Sequence, residues 1–278
     1  MKKILSIGRP VDLSYPTNRA IALLVLGVVV VTLFFKLFSH ESFFRSGKWG
    51  LEVGFSVFLA WALCRELDPD NDFSAFLGAG VTLIGVYIWG LPSFLALFWI
   101  LVILRILNRS GGLPAKVADS LVVLILGGVL VYQGNWGYGV LTALAFFLDA
   151  RLPSPHRRQI GFVGLALMTT VTITVLKQDY WTGEALYWKA GAFALGLSVV
   201  FIPIMFKSRI LSSTGDETGE PLIPLRVLSG QGLVLVTGII SALWSGAVGL
   251  ISLLPIWGAV IGSAIFWKTK YIQRILKI

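Results

Sequence analysis

From residue 232 to residue 266 the chain carries no Asp, Glu, Lys or Arg, and further apolar runs recur along its length between short charged segments. Crossing the hydrocarbon layer of a bilayer takes about 20 residues of helix, with about 17 tolerated. Inside lipid every backbone N–H and C=O needs an internal partner, which an α-helix supplies within one segment. The runs therefore predict an all-α, polytopic integral membrane helix bundle of about ten transmembrane helices, arranged as repeated short hairpins. The expected spans are 19–38, 49–65, 73–89, 91–107, 117–133, 137–150, 160–176, 189–206, 231–245 and 249–267. The last pair could turn at Trp244-Ser245-Gly246 or near Pro255. This reading divides the chain into an N-terminal segment (1–18), an eight-helix region (19–206), a loop (207–230), a final hairpin (231–267) and a basic tail (268–278).

Composition agrees: 56% of residues are hydrophobic and only 13% charged, which excludes an ordinary soluble domain. The net charge of +9 would suggest nucleic acid in a soluble protein. Here the cations sit in loops and termini, so no nucleic acid is expected and anionic lipid headgroups are the expected partners. Threaded through ten spans, eighteen of the twenty-three Lys and Arg residues fall on one side. The other side holds Lys36, Arg45, Lys48, Lys177 and Lys189. Basic side chains in short loops stay in the cytoplasm, so both termini are expected inside, in a bacterial cytoplasmic membrane. Trp49, Trp89, Trp136, Trp181, Trp188 and Trp244 then mark the outer boundary, where an amphipathic indole is favoured. A single cysteine, Cys64, allows no intramolecular disulfide and reads as a packed thiol.

A pattern repeats. Trp49-Gly50 precedes Arg65, Trp89-Gly90 precedes Arg105, and Trp136-Gly137 precedes Arg151, at separations of sixteen, sixteen and fifteen residues. Duplication of a two-helix hairpin would place three equivalent ends side by side. The aromatic-belt and positive-inside tendencies would produce the same spacing without duplication.

The segments closing these hairpins, 65–72, 105–119 and 149–158, mix acids, bases and helix stoppers. Glu66, Asp68, Asp70, Asp72, Asp119 and Asp149 are candidate oxygen ligands for a divalent cation, though no cofactor is identified by the sequence. Arg105, Arg109, Arg151, Arg157 and Arg158 are candidate binders of a phosphate or other anion, because guanidinium offers paired donors. No catalytic set is complete; Asp68, Asp70 and His156 are the candidates, His156 as a base near neutral pH. Asp68, Asp70 and Asp72 begin like a calcium loop, but Phe73 stands where glycine is required and Ala79 where the bidentate glutamate belongs. The Ser110-Gly111-Gly112 run before a helix start could cradle a phosphate on free amides, or Pro114 could simply open that helix.

No span carries an ionisable residue near its centre, and Thr169, Thr170, Thr172 and Thr174 are read as helix-to-helix hydrogen-bonding groups. The 207–231 segment has the composition of a flexible linker, and the tail that of a basic amphipathic stretch lying on headgroups. Three functions are compatible with these features. The first is binding of an anionic lipid or phosphorylated substrate at the cytoplasmic polar cluster, with metal-assisted chemistry. The others are transport or lipid flipping, and a structural role as a homo-oligomer or subunit of a membrane complex.

Overall fold

A computed structural model describes residues 5–8, 12–178 and 186–275, with the side chains of 274 and 275 outside the description. Trp181 and the extreme ends lie outside the described residues. Among these, ten α-helices are present: α1 (Pro16–Phe38), α2 (Phe43–Leu67), α3 (Asp72–Trp89), α4 (Phe94–Asn108), α5 (Val117–Tyr132), α6 (Trp136–Arg151), α7 (Gln159–Lys177), α8 (Trp188–Lys207), α9 (Pro224–Ser252) and α10 (Leu254–Ile275). Five of them, α1, α3, α7, α8 and α9, are long and apolar enough to cross a membrane, whereas α4 and α5 are apolar but shorter.

Local sequence explains the ends. Pro16 and Pro224 open α1 and α9, where a missing N–H costs nothing. The Ser42 hydroxyl caps α2 by accepting from Arg45 N. Lys36, Arg65, Arg105, Arg151, Lys177 and Lys207 stand in the last turns of their helices, beside the negative end of the helix dipole. Gly246 takes φ 59°, ψ −133° and breaks α9 before a further turn at Leu253, so both expected turning points are used.

The helices form two compact units, the first comprising residues 1–9 and 95–250, the second residues 10–94 and 251–278. Within the first, α4 is buried on nearly every side, including Leu97, Trp99, Ile100, Ile103, Leu104 and Leu107. Its all-round apolar sequence suits a central position. Trp99 Nε1 donates to Thr142 Oγ1 of α6 at 2.9 Å, and the Thr142 hydroxyl donates in turn to Tyr138 O at 2.7 Å. Within the second, α3 and α10 cross at small residues. A Cβ on Gly78 would stand 3.1 Å from Ala259 Cα, and one on Gly262 would meet Gly78 Cα at 2.6 Å. Small residues let two backbones touch, which maximises dispersion where lipid gives no hydrophobic drive.

Three expectations about boundaries change. Helix α2 starts six residues before its expected span, α9 begins at Pro224 inside the expected loop, and α10 runs through most of the expected tail. Charged residues interrupt a hydropathy pattern but not a helix, whose backbone bonds are indifferent to charge. The three Trp-Gly pairs also occupy three different positions: inside α2, at the end of α3 with Gly90 at φ 102°, and at the start of α6.

Candidate functional site

Five chain segments meet at one end of the first unit: residues 5–8, the α4–α5 connection, the end of α6 with the α6–α7 connection, the 208–223 segment and the start of α9. Arg226, two residues after the proline that opens α9, is fully buried. Its Nε donates to Pro153 O at 2.9 Å, and Nη1 donates to Leu107 O at 3.0 Å and Asp149 Oδ1 at 2.8 Å. Nη2 donates to Asp149 O at 3.4 Å and Ser154 O at 3.3 Å. All five guanidinium donors are thus used. Leu107 O and Asp149 O belong to the final turns of α4 and α6, whose carbonyls lack partners within their helices. One arginine satisfies both ends, together with the buried carboxylate between them.

Arg109 approaches the same carboxylate from the α4–α5 connection. Its Nη2 donates to Ser154 O at 2.7 Å and lies 3.5 Å from Asp149 Oδ1. Arg109 and Ser154 both have left-handed backbone, φ 52° and 59°, a conformation that costs on the order of 1 kcal/mol for each such residue. His156 Nδ1 stands 3.8 Å from Asp149 Oδ2, too far for a hydrogen bond. Asp149 Oδ2, Arg109 Nε and His156 Nδ1 are all buried and have no hydrogen-bond partner among the described residues. Burial holds the His156 imidazole below its ordinary range, with Asp149 opposing and Arg158, Arg109 and Arg226 reinforcing, so the ring is neutral at pH 7. Burial, then the Arg226 charge, also lowers Arg109, against the pull of Asp149.

Asp119 sits in a second knot. Its carboxylate accepts from Ser6 N at 3.0 and 3.1 Å, from the Ser6 hydroxyl, and from Lys116 N at 2.7 Å. Arg105 Nη1 donates to Ile7 O at 3.1 Å, so residues 6 and 7 are held through backbone on both sides. Gly111 and Gly112 do not offer an open phosphate cradle, because Ser6 O and Thr218 pack against them. Nor is the 208–223 segment slack: Asp216 N donates to Ser110 O, Glu217 N to Gly111 O and Leu222 N to Ser213 O. Arg158 Nη2 donates to Ala115 O at 2.8 Å, while Arg151 lies over the Phe147 ring and Arg151 and Arg157 are exposed.

No family model matches this chain, and no curated protein and no solved structure matches it.

The remaining candidates belong to the second unit. Arg65 Nη1 lies 3.3 Å from Asp72 Oδ1, and Asn71 Nδ2 donates to Asp68 Oδ1 at 2.6 Å within a turn that also holds Asp70. Glu66 and Asp68 are buried. Cys64 is buried as expected, its Sγ 3.4 Å from Ser263 Oγ and 3.5 Å from Ser74 Oγ. Among the described residues no three His, Cys, Asp or Glu side chains gather into a group that could hold a metal ion. The six candidate ligands are thus distributed over different surroundings, with Asp119 filled by amide donors and Asp149 facing guanidinium groups.

Sequence reasoning missed Arg226 and Ser6. A lone cation two residues beyond a proline, followed by an uncharged apolar run, was the available signal for Arg226. Ser6 carries none, since its partner is 113 residues away.

Proposed function

We propose that the protein spans a bacterial cytoplasmic membrane ten times with both termini inside, and that the Arg109–Asp149–Arg226–His156 end of the first unit binds the phosphate of an anionic lipid or phosphorylated substrate. The topology rests on the eighteen-to-five cation asymmetry, together with the meeting of residues 5–8 and three even-side connections at one end of the first unit. Helices α4 and α5, of 15 and 16 residues, fall short of a full crossing, and local thinning of the bilayer accommodates them.

One observation carries the ligand reading. Two buried or nearly buried guanidinium groups face one carboxylate, Asp149, leaving a positive excess, and the exposed Arg151 and Arg157 follow closely along the chain. A buried charge without a counter-charge is costly, and a phosphate supplies the missing negative charge with several acceptor oxygens. The exposed arginines attract the same group from the headgroup layer.

The test uses the full chain purified in neutral detergent. Arg151→Gln and Arg157→Gln together should lower retention of anionic lipid, read by native mass spectrometry, while expression and thermal stability stay at the wild-type level. Retention equal to wild type, or no retained anion in the wild type, overturns the reading. Reporter fusions at residues 112, 155 and 216 should all report the cytoplasmic side, and a fusion on the opposite side would overturn the topology.

A further inference from the structure

The chemistry of the unpartnered atoms narrows the ligand. The carboxylate of Asp149 has one oxygen, Oδ1, facing two guanidinium groups and the other, Oδ2, buried without a hydrogen-bond partner. Asp149 itself is 0% exposed. An ionised carboxylate oxygen can only accept. Any ligand that meets it must therefore bring a hydrogen, since a bare anionic oxygen would be repelled at that contact.

Donors stand beside it. Arg109 Nε is buried without a partner, and His156 Nδ1 lies 3.8 Å from Oδ2, also without one. By distance alone, Oδ2 and Nδ1, 3.8 Å apart, could share one oxygen at about 2.8 Å from each, which would donate to the first and accept from Nδ1–H. A phosphate carrying one proton has such an oxygen. Its remaining oxygens are acceptors of the kind Arg109 Nε and the exposed arginines require.

We infer that this site selects a phosphomonoester, whose monoanion keeps a P–OH, over phosphodiesters and sulfate, which carry no proton near neutral pH. The inference rests on the anion-binding reading above and adds the class of anion. Asp149 is the specificity-determining residue, rejecting unprotonated oxyanions through Oδ2 while Oδ1 holds Arg226 and Arg109 in place. Arg226, with every donor engaged by protein, positions the carboxylate and does not touch the ligand.

The experiment compares four probes on the full-length protein in neutral detergent at pH 6.5, by thermal shift and native mass spectrometry: inorganic phosphate, sulfate, phosphatidic acid and phosphatidylglycerol. Phosphate is expected to bind about ten-fold more tightly than sulfate, and phosphatidic acid about ten-fold more tightly than phosphatidylglycerol, as when a buried polar group is left unpaired by the wrong ligand. Saturation by phosphatidic acid at lower concentration than by phosphate identifies the source as lipid, and the reverse order as a soluble phosphorylated compound. Asp149→Asn, which can donate from its amide, should bind sulfate as well as phosphate. If that variant does not fold, His156→Gln should weaken phosphate binding about ten-fold with sulfate binding less affected. Equal wild-type affinity for the members of each pair, or a preference that survives in Asp149→Asn, overturns the inference while leaving anion binding intact. Absence of any anion effect overturns both readings.

Discussion

The two units solve the same problem in opposite ways. The first gathers charge: Arg226, Arg109 and Asp149 join the ends of α4 and α6 to the start of α9, and Asp119 ties residues 6 and 7 to the start of α5. The second removes side chains: α3 and α10 meet at Gly78, Gly258 and Gly262, where backbone lies on backbone. Polar joints are directional and break when one partner is lost. Glycine contacts are non-directional and break when any volume is added. The difference teaches where each unit tolerates change.

Five substitutions break or sharpen that contrast. The largest effect is expected from Arg226→Met, which removes the nearer of the two guanidinium groups facing Asp149 and the side-chain donor to Pro153 O and Leu107 O, and should destabilise by about 3–5 kcal/mol. Thermal denaturation in detergent measures it, and Arg226→Met with Asp149→Leu should recover part of the loss because no buried carboxylate remains. A double variant as unstable as the summed singles would show that the two residues are not coupled.

Next is Gly262→Leu, which would force α3 and α10 apart at a cost of about 3 kcal/mol or more. Monodisperse yield on size exclusion reports it; an unchanged profile would mean that these helices do not pack through their backbones. Ser6→Ala should cost about 1–2 kcal/mol, because Asp119 loses its hydroxyl donor, and should increase cleavage near residue 8 in limited proteolysis. Cleavage at the wild-type rate would disconnect the N-terminal clasp from Asp119.

The smallest effect concerns pH. His156 binds its proton less readily in the folded protein than its ordinary value of 6.5 implies. The unfolded chain therefore takes up more protons as the pH falls through 6.5, and the folded state loses stability there. His156→Gln should flatten the stability profile between pH 7 and 5, and an unchanged slope would assign it to other groups.

Legibility in the sequence followed the range of the interactions. Helix content and apolar runs were readable, and Lys or Arg marked several helix ends, as Arg65, Arg105 and Arg151 do. The repeated Trp-Gly pairs sit at the interior, the end and the start of three helices. For the site, Arg109, Asp149 and His156 were candidates for three separate roles, anion binder, metal ligand and base; the structure brings them to one place, and adds Arg226, which was not among the candidates. The 208–223 segment had a linker's composition, yet its backbone is engaged by the Ser110-Gly111 turn.

Hydropathy and charge asymmetry are sums over local residues, so the amino-acid order alone determined that this chain is built of helices suited to a membrane and which of its segments carry charge. Which charges share a carboxylate was decided only in three dimensions. Arg226 and Asp149 are 77 residues apart, and their bond depends on α4, α6 and α9 ending or beginning at one place. The cost of burying either group alone exceeds anything local propensity can express, so only packing could settle the pair.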